Sequence, residues 1–171
     1  MGDIEILIFA FIFFPVALFI SVLLHEVGHL LAYRLFGRKV EKCIIGKNES
    51  RALIAKSFFG TNYIFKVSSF YSSSGVTISS EVSRLSEIEI KIIAIAGPLM
   101  NLVLSIIFFY FLSHHHNTDF TYIFYLVMVC VNGGMFVMNL YPSTKKPSDG
   151  ALFFHTAKMH GVLAKMIEEI L

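Results

Sequence analysis

Leu23-Leu24-His25-Glu26-Val27-Gly28-His29-Leu30-Leu31-Ala32-Tyr33 lies inside an apolar run from Ile4 to Phe36, which before the motif is interrupted only by Glu5, Pro15 and Ser21. About 20 apolar residues suffice to cross a hydrocarbon core. Ionisable side chains inside such a run are costly and are therefore a functional hypothesis by default. On a helix, positions i and i+4 share a face, so His25 and His29 can offer imidazole nitrogens to one metal ion. Glu26 falls between them, where a carboxylate can take a proton from a water activated by that metal, as the His-Glu-x-x-His pattern requires. The competing reading is a chance match, or a buried polar cluster that only joins helices.

Composition agrees with a membrane setting. The chain is 56% hydrophobic, with 18 Phe and no Trp, and its mean hydropathy is +0.70; soluble domains hold about 45–50% apolar residues. We expect a polytopic α-helical membrane protein, a single domain over 1–171 with no sizeable soluble module and no nucleic-acid partner. Spans are expected at about 4–36, 90–112 and 120–160, the last broken around 139–149. The first is not a cleavable signal peptide, because it lacks a basic start, is too long and carries the motif itself. All 14 Lys and Arg lie between Arg34 and Lys91 or after Tyr141. By the positive-inside rule the amino terminus is outside and the carboxyl terminus cytoplasmic. Cys43 and Cys130 fall in different parts of this layout and imply no disulfide framework. His114-His115-His116 reads as a polar external loop, or at most as weak metal-binding material.

If the first helix leaves the membrane near Arg34, His25 lies about 14 Å below the cytoplasmic surface at 1.5 Å per residue. A hydrolytic site at that depth needs a water-filled cavity lined by polar residues of other spans. Asn101, in Ala96-Gly97-Pro98-Leu99-Met100-Asn101, is one candidate. Its amide can bond a polarised carbonyl or the attacking water, while Gly97 permits close helix approach; the alternative is an interhelical hydrogen bond that holds the bundle together. Asn139-Leu140-Tyr141-Pro142 through Asp149-Gly150 is the other. Pro142 and Pro147 must break the helix there, and irregular backbone at membrane depth is tolerated only where it lines a cavity or is buried in protein. Asp149 is then the natural third ligand, since two His and one carboxylate with an open position form a catalytic zinc set. Its alternative role is the N-cap of a helix over Ala151 to Leu171.

Together these three motifs resemble the site-2 protease family of intramembrane zinc metalloproteases. Its members carry His-Glu-x-x-His on one membrane helix, Gly-Pro-x-x-Asn on the next and Asn-x-x-Pro…Asp-Gly on a broken third. The matching residues are His25, Glu26 and His29; Gly97, Pro98 and Asn101; and Asn139, Pro142, Asp149 and Gly150. Six residues separate Pro142 from Asp149, more than the family pattern has. The resemblance implies Zn²⁺ held by His25, His29 and Asp149, Glu26 as general base, and Asn101 and Asn139 stabilising the oxyanion or orienting substrate. It implies an endopeptidase that cleaves a membrane-embedded peptide or protein segment near the cytoplasmic face of a prokaryotic cell membrane. The chain looks like a minimal form without a PDZ or CBS domain. The alternatives are a catalytically silent relative that binds membrane helices, and a protein that carries zinc rather than using it.

The polar middle segment, about 40–80, is expected to hold a small membrane-associated β element. Phe58 to Val67 and Phe70 to Ile78 are rich in β-branched and aromatic residues, separated by Gly and Ser, and read as short strands or a hairpin. Such an element could hold an extended substrate by β-addition, or pack on the bilayer surface and close the bundle from below.

Overall fold

The structure, a computed structural model, describes residues 3–47, 49–72, 74–117, 119–142 and 148–156. Helix α1 (Asp3–Leu35) is 33 residues long, about 50 Å at 1.5 Å per residue. Gly37 ends it. With φ at +68°, Gly37 lets its own N–H reach Arg34 O and that of Arg38 reach Tyr33 O, both at 2.9 Å, the double bond that satisfies the last carbonyls of a helix. Helix α2 (Glu87–His114) starts in a reciprocal capping box between Ser86 and Glu89, and Arg38 reaches back to Glu89 at 3.1 Å. Helix α3 (Phe120–Leu140) is capped by Asp119, whose side chain accepts from the N–H groups of Thr121 and Tyr122. Backbone donors and His115 together hold that exposed carboxyl below the usual carboxylate range.

All three helices are long and apolar enough to cross a membrane. Their outward faces expose Leu7 and Phe11 on α1, Ile106 and Phe109 on α2, and Val137 and Met138 on α3. A helix that is apolar on its exposed face as well as its buried one does not fit a water-facing surface. α1 and α2 meet backbone to backbone, because a Cβ on Gly28 would stand 2.6 Å from the carbonyl oxygen of Ala96. Small residues at such a crossing are the usual means of close packing between apolar helices. α1 and α3 meet through aromatic rings, Phe9 against Phe120 and Phe13 against Phe124.

Between α1 and α2 lies a mixed four-stranded sheet of β1 (Lys42–Ile45), β2 (Ala52–Phe58), β3 (Thr61–Lys66) and β4 (Gly75–Ile78), in the order β2-β3-β1-β4. β1 runs parallel to β3 and antiparallel to β4, with Cys43 beside both Tyr63 and Thr77. The stretch from Phe58 to Val67, read as a strand or part of a hairpin, forms the turn and second arm of a hairpin. Phe59 and Gly60 both take positive φ, which produces the two-residue turn whose twist suits antiparallel strands, and β2 precedes it. Val67–Phe70, which holds the last residue of the first expected stretch and the first of the second, closes into a 3-10 turn, and the second strand starts only at Gly75.

The sheet stands alongside α1 rather than below the bundle. Val40, Ile44 and Ile78 pack with Leu30 and Tyr33, Cys43 and Ile45 with Leu18 and Val22, and Phe70 stacks on Phe19 at 5.1 Å. The contact thus follows α1 from Tyr33 to Phe19, about 21 Å of helix axis.

The third helix is broken as its prolines require. α3 stops at Leu140 and α4 (Asp149–Phe154) begins at Asp149. The intervening residues 143–147 and the expected continuation over 157–171 lie outside the described residues. The two ends of the break touch, since a Cβ on Gly150 would overlap the carbonyl of Leu140.

Candidate metal centre

His25 and His29 project from one face of α1, and the break after α3 brings Asp149 against them. His25 Nε2 lies 3.1 Å from His29 Nε2 and 3.0 Å from Asp149 Oδ2, and His29 Nε2 lies 3.4 Å from Asp149 Oδ1. These separations fit one ion. Tetrahedral ligands at about 2.0–2.1 Å from zinc stand about 3.3 Å apart. Among the described residues these three form the one group of His, Cys, Asp or Glu side chains suited to a shared metal.

Each imidazole is turned by a partner behind it. His29 Nδ1 is 2.7 Å from the carbonyl oxygen of Ile93. A carbonyl only accepts, so this nitrogen carries the proton and Nε2 presents its lone pair to the site. His25 Nδ1 is 2.6 Å from Asn101 Oδ1, with the same consequence. Asn101 is fully buried. It lies behind His25, outside the wall of the cavity onto which the ligands open.

The space beside the two imidazoles is clear because Gly97 has no side chain. A Cβ there would come within 2.7 Å of His25 Nε2 and closer still to His29 Nε2, in the space where the two nitrogens converge. The pattern Gly-Pro-x-x-Asn therefore serves one imidazole pair twice, with Gly97 leaving room in front and Asn101 bonding from behind.

Asp149 was open to two readings, ligand or helix cap. The cap is Ser148, whose hydroxyl accepts from Ala151 N at 3.2 Å, so both Asp149 oxygens are left to face the histidines. Losing an N-cap costs about 1 kcal/mol, or about fivefold in an equilibrium. Ser148→Ala should therefore weaken zinc affinity about fivefold, measured by chelator competition. Unchanged affinity would mean that Asp149 is held by something other than this cap.

A cavity of about 320 Å³ opens on the three side chains, lined also by Glu26, Tyr33, Asn139, Ser74 and Gly75 to Thr77 of the β4 strand. Thr77 Oγ1 donates to Glu26 Oε2 at 2.8 Å, while Glu26 Oε1 makes no hydrogen bond to a described residue. Gly75 lies directly under that carboxylate, where a Cβ would overlap it. Asn139 Nδ2 stands 3.5 Å from His25 Nδ1, at the limit of hydrogen-bond reach, and its side chain lines the cavity. Cys43 is near Thr77, but burial pushes its thiol up to about 12, which removes it as a thiolate nucleophile at neutral pH.

Sequence reasoning missed Thr77 and Gly75. Nothing in Gly-Val-Thr-Ile marks a strand that will lie against a glutamate 51 positions earlier. The histidines at the end of α2 stay away from the centre; His115 pairs with Asp119 at 2.9 Å and His114 with the Tyr110 carbonyl.

With this geometry in place, the comparison with known families is decisive. The family model for peptidase family M50, the site-2 protease family, matches residues 13–167. The chain belongs to peptidase family M50. No curated protein matched it. M50 peptidases are zinc metalloproteases, and the donor set found here, two imidazoles and a carboxylate beside a second carboxylate, is one that zinc fits. M50 membership and the three apolar helices together point to a membrane protein acting on membrane-embedded substrates.

Proposed function

We propose that this chain is a zinc-dependent intramembrane endopeptidase that hydrolyses a peptide bond in a membrane-embedded peptide or protein segment. The observation that carries the proposal is the convergence of His25 Nε2, His29 Nε2 and Asp149 within 3.0–3.4 Å of one another, beside Glu26 on one cavity. Zinc, when bound, supplies a Lewis acid that makes water more acidic and polarises a carbonyl. Glu26 takes the proton of the attacking water on Oε1, while Thr77 keeps the carboxylate oriented through Oε2. The same carboxyl group then delivers that proton to the leaving amine. Asn139 orients the substrate from the cavity wall, and Asn101 acts on His25 rather than on the substrate.

β4 is a terminal strand of the sheet and lines the cavity beside Glu26. An extended substrate can add to its free edge, which would hold the scissile bond against the centre. We infer that the sheet lies within the thickness of the bilayer, alongside α1, where irregular backbone is admissible because it is packed on protein and borders a cavity. The excess of Lys and Arg between α1 and α2 supports an amino terminus outside and a carboxyl terminus in the cytoplasm. The cleavage site then lies nearer the cytoplasmic face of a prokaryotic plasma membrane. A catalytically silent relative is disfavoured, because a binding module has no use for a ligand set and a base together.

The test is metal removal. Protein reconstituted with a membrane-spanning peptide substrate should lose cleavage to background when a membrane-permeant chelator strips the metal, and regain it with about one equivalent of Zn²⁺ per chain. Cleavage by protein shown to be metal-free would overturn the proposal.

A further inference from the structure

Behind His25 runs a chain of amide hydrogen bonds that ends on a different helix, at Asn132, a residue that neither lines the cavity nor belongs to the metal-directed group. Asn132, in the middle of α3, is fully buried, and its Nδ2 donates to the carbonyl of Met128 at 2.8 Å. Asn132 Oδ1 in turn accepts from Asn101 Nδ2 at 3.0 Å. Asn101 Nδ2 also donates to the carbonyl of Ser21 on α1 at 3.2 Å, and Asn101 Oδ1 meets His25 Nδ1 at 2.6 Å.

The direction of every bond in this chain is fixed by its ends. Backbone carbonyls accept and never donate. The Met128 carbonyl therefore turns the Asn132 amide nitrogen toward itself, which leaves the Asn132 oxygen for Asn101. Asn101 must answer with its nitrogen, and the Ser21 carbonyl demands the same. Only oxygen is then left for His25, so His25 must carry a proton on Nδ1, which in the neutral ring leaves Nε2 bare.

We propose that Asn132 is a positioning residue: through Asn101, the α3 helix sets the tautomer and ring orientation of a ligand on α1. This rests on the metalloprotease reading for its purpose, but the hydrogen-bond chain stands without it. Asn132 adds to the Ser21 carbonyl in disfavouring the amide-flipped state of Asn101, in which an N–H would face His25 Nδ1 and the Asn101 oxygen would face both acceptors. Outer partners of metal-binding histidines typically change metal affinity 10–100-fold when altered. A bond that merely joined α2 to α3 would change stability and leave the state of His25 alone.

The experiment compares wild type with Asn132→Leu, Asn132→Ala and Asn132→Asp in lipid nanodiscs. Asp retains an oxygen acceptor for Asn101 in either protonation state, and in its acid form it also donates to the Met128 carbonyl. Two quantities are read: zinc affinity by competition with a chelating dye, and the ring ¹⁵N shifts of His25 in the metal-free protein, assigned by loss of the signals in His25→Gln. We expect the Leu and Ala variants to bind zinc about 10–100-fold more weakly and to show His25 as a mixture of tautomers. The Asp variant should match wild type in both. Folded Leu or Ala variants with wild-type affinity and a pure Nδ1–H tautomer would overturn the proposal, as would an Asp variant as impaired as Leu. Should wild type bind no zinc, the metalloprotease reading fails, while the ¹⁵N comparison still decides the role of Asn132.

Discussion

Glu26→Gln leaves a folded protein that retains its zinc and cleaves a membrane substrate about 10²–10⁴-fold more slowly, the range contributed by a positioned general base. Gln has almost the shape of Glu, and its carbonyl oxygen can still accept from Thr77 Oγ1, which stands 2.8 Å from Glu26 Oε2. Glu26 is not among the three metal-directed side chains, so metal content should not change. What is lost is the basicity of the free oxygen over Gly75. The measurement is the cleavage rate of reconstituted variant and wild type at equal zinc content. Rates within a few fold of each other would remove Glu26 from the reaction.

Gly97→Ala should weaken the site by a different route. The added methyl would occupy the space where the two Nε2 atoms converge, closer than 2.7 Å to one of them. Inserting a methyl into a filled site typically costs about 1–3 kcal/mol, which corresponds to a loss of about fivefold to 150-fold in zinc affinity if the helices stay in place. Gly134→Ala is the control, because a Cβ there meets nothing within 4 Å. Chelator competition on both variants distinguishes a blocked site from a general effect of replacing glycine. Gly97→Ala with wild-type affinity would mean that α2 does not approach the ligands as closely as described.

The two variants also mark where the sequence was legible and where it was not. The three long apolar helices could be read from composition, and the pairing of His25 with His29 from helical period, because both signals are local. The prolines at 142 and 147 announced the break that lets Asp149 turn back. The β element was legible only in part. Lys42 to Ile45 is too short to stand out, and Ala52 to Phe58 does not alternate cleanly, whereas the aromatic run after Gly60 does resemble a strand.

Long-range partners left no mark at all. Thr77 and Glu26, like Asn132 and Asn101, meet only through packing of distant segments, and a single Asn in an apolar helix does not say which way it points. Asn101 shows how this limits residue-level inference. A polar side chain at mid-span fits a substrate contact, a helix joint or a support for a ligand equally well. Only the direction of its amide, fixed by the carbonyl of Ser21 and by Asn132, assigns it to His25. In apolar surroundings an interhelical hydrogen bond contributes about 0.6–2 kcal/mol, whereas a misdirected ligand changes metal affinity by 10–100-fold, so the second consequence governs function.

The zinc content of purified protein tests the central claim most directly. Wild type should carry about one zinc per chain, the double replacement of His25 and His29 none, and Asp149→Ala a fraction that is lost on dilution, because two ligands hold an ion far less firmly than three. Wild type that is folded, purified without chelators and free of zinc would contradict the account, as would zinc that persists when both histidines are gone.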